Sequence, residues 1–185
     1  MLIKPYIKGY IEIPDGKVDI TDPCYDKDDV FRMNAVAIKQ GRYRCRYWKG
    51  FKLEQKEKSE AQEEYRKYGF ESAEEYIRAE TRDIKNRVFI LEIQHETANA
   101  SIDGSDWVRI GNIAVDAGMA GFFLDKPDFD DKEWQKLCDY TLGVKSPVYL
   151  KRKLGFWSDS GYGDGCYDVY ALKRNNEVLG LKIEF

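Results

Sequence analysis

The sequence predicts an α+β domain built on a mostly antiparallel, strongly curved β-sheet or a small sandwich. Segments of alternating polar and apolar residues recur along the chain, turn residues separate them, and aromatic residues make up 14% of the total, which is typical of β structure. Residues 54–86 break this pattern because they are rich in Glu, Lys, Arg and Ala. The sequence therefore predicts a single domain over residues 1–185, with a helical insertion at residues 54–86.

The first forty residues predict a hairpin and a short helix. Tyr6–Ile13 alternates isoleucine with polar residues, a turn follows at Pro14–Lys17, and residues 18–20 continue as a second strand. The acidic run Asp26–Asp29 is typical of a helix N-terminus, so we expect a short helix over Val30–Ile38.

The next segment, Gly41–Phe51, predicts a strand with one cationic face. Arg42, Arg44 and Arg46 alternate with tyrosine and cysteine, which places the three guanidinium groups on the same side of the strand. A row of arginines beside Trp48 suits phosphate groups and stacked bases. The same row also suits a solvated edge strand that is protected by its charge.

The insertion predicts two helices. Lys56–Tyr68 and Ala73–Lys85 contain almost no β-branched residues. Gly69 is expected to end the first helix, and Ser72 with Glu75 forms a capping box at the start of the second.

The rest of the chain predicts further strands and one later helix. His95 falls on the apolar face of the first of these strands and is expected to be partly buried and hydrogen-bonded. The predicted elements are the strands Arg87–Glu96, Trp107–Ala117, Gly155–Ser158 and Cys166–Lys173, the helix Asp130–Tyr140, and a C-terminal hairpin that closes with Val178–Phe185.

Composition and charge narrow the classes of function. The net charge of −3 argues against nucleic acid as the main partner, because phosphate-backbone binding favours strongly basic proteins. The chain has no apolar run of about 18 residues and no signal-peptide core at its N-terminus, which predicts a cytoplasmic protein without a membrane partner. The four cysteines lack paired spacing and one histidine stands alone, so neither a zinc site nor a nucleophile–base pair is indicated.

Three segments share one design: a strand, then an acidic residue, then small or turn-forming residues. Their acidic residues are Asp22, Asp116 and Asp164. If the three strand ends lie on the same side of the fold, the carboxylates converge and could bind a hard cation or carry out acid–base chemistry. The alternative is turn chemistry, in which an aspartate accepts hydrogen bonds from nearby backbone amides and the glycine-rich stretch Gly155–Tyr170 forms a hairpin tip.

The predicted site combines these acidic residues with their loop neighbours and one cation. No catalytic residue and no resident metal is predicted. The expected ligand-binding residues are Asp22, Tyr25, Arg44, Asp116, Gly118, Ser160, Tyr162 and Asp164.

The same motifs resemble an uncharacterised family of small β-rich proteins from bacteria and bacteriophages. The resemblance rests on Asp-Pro-Cys-Tyr at 22–25, Val-Asp-Ala-Gly at 115–118, the Ser-Gly-Tyr-Gly-Asp-Gly run at 160–165 with Tyr167–Tyr170, and the closing residues 181–185. It does not extend to residues 54–86, and Cys166 and Asp168 stand where members of that family carry a small residue and a proline. The family implies no established activity, although a bacteriophage setting implies counter-defence roles such as the capture of nucleotide signals.

Three functions are consistent with these features. The favoured one is a non-enzymatic binding protein that needs no cofactor and recognises a small anionic, nucleotide-like ligand or a host protein. The first alternative is a phosphoesterase or other hydrolase that uses the clustered aspartates around Mg²⁺ or Mn²⁺. The second is a structural or assembly protein with residues 54–86 as its contact arm, and this leaves room for a homo-oligomer.

Overall fold

A computed structural model describes residues 5–49, 61–73, 75–76, 87–98, 106–124, 130–143, 146–161 and 163–185. These residues contain eleven β-strands and one long helix. The elements in chain order are β1 (Tyr6–Ile13), β2 (Lys17–Thr21), β3 (Met33–Ala37), β4 (Gly41–Lys49), β5 (Val88–His95), β6 (Trp107–Val115), β7 (Met119–Phe123), α1 (Asp131–Gly143), β8 (Val148–Lys151), β9 (Gly155–Asp159), β10 (Gly165–Arg174) and β11 (Glu177–Glu184).

The strands form two antiparallel sheets that share one core. Sheet A has the order β1-β4-β5-β11-β10-β6, and sheet B has the order β3-β2-β7-β9-β8. Side chains from both sheets, including Ile11, Tyr43, Leu91, Phe122 and Phe156, are fully buried in the same apolar cluster. The predicted α+β fold with mostly antiparallel sheets is therefore confirmed.

Helix α1 covers the outer face of sheet B. Leu137 of the helix lies in a second apolar cluster with Phe123, Tyr149 and Trp157 of the sheet. Asp130 caps the helix, since its Oδ1 accepts a hydrogen bond from the Glu133 amide at 2.8 Å. The predicted helix at Asp130–Tyr140 is confirmed and continues to Gly143. No helix in the described residues has the length and apolar character that a membrane crossing requires.

The predicted N-terminal hairpin is wrong because β1 and β2 belong to different sheets. β1 pairs with β4, whereas β2 pairs with β3 and β7. Ile11 and Ile13 of β1 and Val18 and Ile20 of β2 are all buried, and they enter the shared core from opposite sides. The alternation of polar and apolar residues therefore identified the two strands. Their pairing partners, however, depend on how the apolar side chains are buried between the two sheets.

The helix predicted over Val30–Ile38 is also wrong, because this segment contains strand β3. The buried Asp19 carboxylate on β2 accepts a hydrogen bond from Arg32 Nη2 at 2.9 Å and another from the Ala35 amide at 2.8 Å. The acidic run before it forms a turn, in which the Asp26 amide donates to Asp29 Oδ2. These contacts hold the segment in an extended form beside β2, overriding its local helix signal.

The insertion is described only in part. Residues 61–64 are helical and residues 65–69 form turns, so the helix ends before the predicted Tyr68. Gly69 has a left-handed φ of 79°, which suits glycine in such a turn. The Glu75 amide donates to Ser72 Oγ at 3.1 Å, which is one of the two hydrogen bonds of the predicted capping box. Glu75 Oε2 accepts from the Glu71 amide at 3.0 Å, one residue before the expected donor. Residues 56–60, 74 and 77–85 of the two predicted helices lie outside the described residues.

Gly121 lies where the backbones of β7 and β9 approach each other closely, and its substitution tests this packing. A Cβ atom at position 121 would lie 2.5 Å from Cα of Trp157 on the neighbouring strand. We expect Gly121→Ala to lower the free energy of unfolding by about 3 kcal/mol or more, because backbone atoms cannot move aside as a side chain can. Urea denaturation measures the effect.

Gly111→Ala is the matched control, since its Cβ would meet only the flexible Met33 side chain at 3.4 Å. It should change the free energy of unfolding by less than about 0.5 kcal/mol. Equal effects of the two substitutions would contradict the strand packing described here.

Candidate functional site

The three strand exits that the sequence singled out meet at one end of the two sheets. We call this region the Asp22 corner and define it as residues 22–25, 116–118, 160, 161 and 163–165. The Ser160 amide donates to the Gly118 carbonyl at 2.9 Å, and Gly165 pairs with Val115. Because β9 pairs in sheet B and β10 in sheet A, the glycine-rich stretch is a crossing between sheets and not a hairpin tip.

The Asp22 carboxylate is the centre of this corner. Its Oδ2 accepts hydrogen bonds from the amides of Asp116 at 2.8 Å and Ala117 at 2.6 Å. Its Oδ1 accepts a third from the Cys24 amide at 2.9 Å, and the residue is fully buried. Both carboxylate oxygens are thus engaged by backbone donors, which is the turn-chemistry interpretation of this aspartate.

The other two aspartates of the corner lie at its surface. Asp116 and Asp164 are exposed, and each stands one residue beyond the paired Val115 and Gly165. The corner therefore brings the three predicted aspartates into one region, with Asp22 inside and the other two outside. Within the described ranges, no set of three or more His, Cys, Asp or Glu side chains is arranged to hold a metal ion.

The loop of the corner is closed by its own hydrogen bonds. The buried Ser160 donates its hydroxyl hydrogen to the Gly163 carbonyl at 2.6 Å, and Tyr167 donates to the same carbonyl at 2.8 Å. Gly118 has a φ of 66°, a left-handed conformation that suits glycine in this tight turn. Tyr25 is half-buried, with its ring 5.6 Å from that of Phe31, and Tyr162 lies outside the described residues.

An acidic cleft adjoins the corner. It has a volume of about 290 Å³ and is lined by Pro23, Cys24, Asp26, Asp131 and Trp134. Burial, followed by the nearby Asp22 carboxylate, raises the pKa of the Cys24 thiol to about 12. The negative charge of Asp22, which adds to the effect of burial on the pKa of this thiol, also disfavours an anionic ligand at the corner.

Arg44 lies far from the aspartates. It faces outward on β4 and is paired in register with Gln94 of β5. Gln94 pairs with Gly180 of β11, which in turn pairs with Leu172 of β10. Leu172 is roughly 20 Å along β10 from Gly165 of the corner. The structure therefore does not bring Arg44 together with the aspartates.

His95 is occupied by structural hydrogen bonds. Its Nδ1 lies 2.7 Å from Thr97 Oγ1, and its Nε2 lies 3.2 Å from the Gln40 carbonyl oxygen. The side chain is buried against Tyr43, with ring centroids 5.2 Å apart. This agrees with the expected buried, hydrogen-bonded histidine.

A second cleft, which sequence reasoning missed, lies at the opposite end of β10. It has a volume of about 670 Å³, and we call it the basic cleft. Three cationic side chains, two asparagines and one glutamate contribute to its lining. The lining residues are Ala37, Ile38, Lys39, Lys173, Arg174, Asn175, Asn176, Glu177 and Val178.

The walls of the basic cleft are held in place by the fold. The buried Tyr43 donates its hydroxyl hydrogen to the Lys39 carbonyl at 2.6 Å, and the Lys39 amide donates to the Val178 carbonyl at 2.9 Å. Asn175 and Asn176 form the tight β10–β11 turn, with φ values of 50° and 64°. The two cationic residues at 173–174 are visible in the sequence and could have pointed to a basic surface. Their proximity to Lys39 depends on the fold and could not be predicted from the sequence.

Removing the charge of Asp22 should destabilise the protein. In Asp22→Asn, an amide nitrogen would face a backbone donor where a carboxylate oxygen now accepts. We expect the free energy of unfolding to fall by about 3 kcal/mol, measured by urea denaturation. Asp116→Asn is the control and should cost less than about 0.5 kcal/mol, because that carboxylate is exposed. Equal costs would contradict the central role of Asp22.

Thiol alkylation provides a second test of the corner. With a pKa of about 12, only roughly one Cys24 thiol in 10,000 is ionised at pH 8. We expect iodoacetamide at this pH to modify the exposed Cys166 well before Cys24, as followed by mass spectrometry of the peptides. Reaction of Cys24 as fast as Cys166 would show that the thiol is not held in the buried, acidic setting described.

Comparison with known proteins adds no assignment. No protein-family model matches the sequence, and no curated protein or solved structure gives a significant match. The resemblance to the β-rich bacterial and bacteriophage family, which rests mainly on motifs of the Asp22 corner, therefore stays a prediction.

Proposed function

We propose that the protein is a non-enzymatic binding protein for a small anionic ligand and that the ligand binds in the basic cleft. The observation that carries this proposal is the lining of the cleft, which holds three cationic side chains and only one anionic side chain in a preformed hollow of about 670 Å³. Clefts of this size suit small organic ligands, including nucleotide-like molecules.

The ionic contacts of the cleft leave positive charge available. Lys39 Nζ lies 2.8 Å from Glu177 Oε2, so this pair is neutral overall. Arg174 pairs with Asp106 at 2.6 Å. Lys173 is exposed and makes no ion pair with any described residue. Its ammonium group is therefore the cation best placed to neutralise an incoming anion.

The turn adds hydrogen-bonding capacity beside this charge. Asn175 and Asn176 are exposed, and their side-chain amides make no hydrogen bond with another described residue. Each amide can donate to ligand oxygen atoms and accept from ligand hydroxyl or amino groups. Because a two-residue turn fixes both backbones, little entropy is lost when a ligand orders this wall.

The alternatives from the sequence gain no specific support. For a hydrolase, Mg²⁺ or Mn²⁺ would have to reach an Asp22 carboxylate that is fully buried and already accepts three backbone amides. An assembly role of residues 54–86 concerns a segment that is described only in part. A host-protein ligand, a cytoplasmic location and a counter-defence role stay hypotheses, as does the absence of a cofactor.

The proposal is tested by titrating the protein with inorganic pyrophosphate and a panel of mononucleotides in isothermal calorimetry. We expect binding that weakens as salt rises, and Lys173→Ala should weaken it by about fivefold or more. Glu177→Gln should strengthen it a few-fold, because the substitution removes a repulsive charge and releases Lys39. The expected fall in affinity for Lys173→Ala and the expected rise for Glu177→Gln both follow from the charges that line the cleft.

Lys153→Ala is the matched control. This lysine is equally exposed but lies on the β8–β9 turn and does not line the cleft. The control should leave the affinity unchanged. No binding of any anion, or equal weakening by both lysine substitutions, would overturn the proposal.

A further inference from the structure

A buried polar side chain on the outer face of sheet A lacks the partner that its chemistry requires. Gln94 points away from the core, since Ile93 and His95 on either side of it face inward. Its exposed fraction is only 2%, and its Nε2 makes no hydrogen bond with any described residue. A buried donor without an acceptor costs about 1–3 kcal/mol, so such groups are rare in native proteins.

Arg44 lies beside this amide, and its positive charge also acts on the nearby Glu92 carboxyl. It is directly opposite Gln94 on the neighbouring strand, and no hydrogen bond or ion pair of its guanidinium group is found in the described part of the chain. Arg44 is half-buried, so the group reaches from the interior of this face towards solvent. The guanidinium group of Arg44 can only donate hydrogen bonds, and Nε2 of Gln94 is a further donor beside it.

On the side of Gln94 opposite to Arg44, the neighbouring residue is a glycine, which has no side chain. Gly180 is its partner on β11, and a Cβ atom there would lie 3.1 Å from Cη2 of Trp107. The indole ring therefore lies over the bare backbone of Gly180. An apolar wall and two unpaired donors thus surround the same position.

The next row of the sheet is satisfied internally. Arg46 Nε donates to Glu92 Oε1 at 2.9 Å, and Glu92 is 3% exposed. Lys182 pairs with Glu184, and its ammonium group lies 4.5 Å from the centre of the Tyr170 ring. Arg46 and Lys182 therefore already have acceptors, whereas no described residue accepts a hydrogen bond from Arg44 or from Gln94 Nε2.

We propose that Arg44 and Gln94 form a second anion site, in which an oxygen atom of a carboxylate or phosphate group accepts hydrogen bonds from both side chains. The site lies on the outer face of sheet A and shares no residue with the basic cleft. It stands whether or not a ligand binds in that cleft. Its ligand needs one oxyanion group and an adjoining part small enough to lie beside Trp107.

The side-chain amide signals of Gln94 report directly on this site in ¹H–¹⁵N spectra. We expect them to shift when the protein is titrated with inorganic phosphate or with acetate, and the anion that shifts them identifies the oxyanion class. Arg44→Ala should abolish the shift. Arg42→Ala, which removes an exposed arginine from the same face of β4, should preserve it. No shift with either anion, or a shift that survives Arg44→Ala, would overturn the proposal.

Stability separates this binding role from a structural one. Gln94→Met keeps the length of the side chain but removes the unpaired donor. We expect the melting temperature without anion to rise by about 3 °C, while the stabilisation that phosphate or acetate confers on the native protein is lost. A fall in the melting temperature of similar size would show that the amide supports the fold and would overturn the proposal. The Lys173→Ala variant should keep the Gln94 shifts, so failure of this site and failure of the cleft are distinguishable.

Discussion

The Asp22 carboxylate joins parts of the protein that the chain itself keeps apart. Asp22 directly follows β2 of sheet B, yet its carboxylate accepts hydrogen bonds from the amides of Asp116 and Ala117, which directly follow β6 of sheet A. The Cys24 amide adds a third hydrogen bond. Converging backbone N–H groups often form a nest that binds an anion. In this protein the anion is the carboxylate of Asp22 itself. The corner is therefore a structural element that fixes how the two sheets meet.

Buried charge recurs as a means of positioning the strands. Asp19 holds Arg32 and the Ala35 amide and so places β3 beside β2. Burial raises the pKa of the Glu92 carboxyl, although Arg46 beside it favours the charged form. Removing one member of either pair would leave a buried charge without compensation, which is far more costly than the small net gain of the intact pair. Gln94 is different, because no described residue accepts a hydrogen bond from its Nε2.

The regions proposed for binding lie away from the corner. The basic cleft is at the far end of β10, and a strand of 10 residues spans about 30 Å. Acidic side chains surround the corner, whereas Lys173 lines the cleft without an ion pair to any described residue. A ligand bound at either proposed site would therefore not compete for the amides that Asp22 holds.

Much of the local structure could be predicted from short stretches of sequence. Alternation identified most strands and the opposite faces of Tyr43 and Arg44, and the cap at Asp130 located helix α1, because periodicity and capping depend on neighbours within a few residues. Long-range contacts, by contrast, place β1 and β2 in different sheets and hold residues 33–37 after Asp29 as a strand. They also determine that Asp22 serves the backbone and that Lys39 meets the β10–β11 turn. These outcomes depend on which distant side chains share a core or a buried hydrogen bond, and local sequence patterns carry no record of that choice.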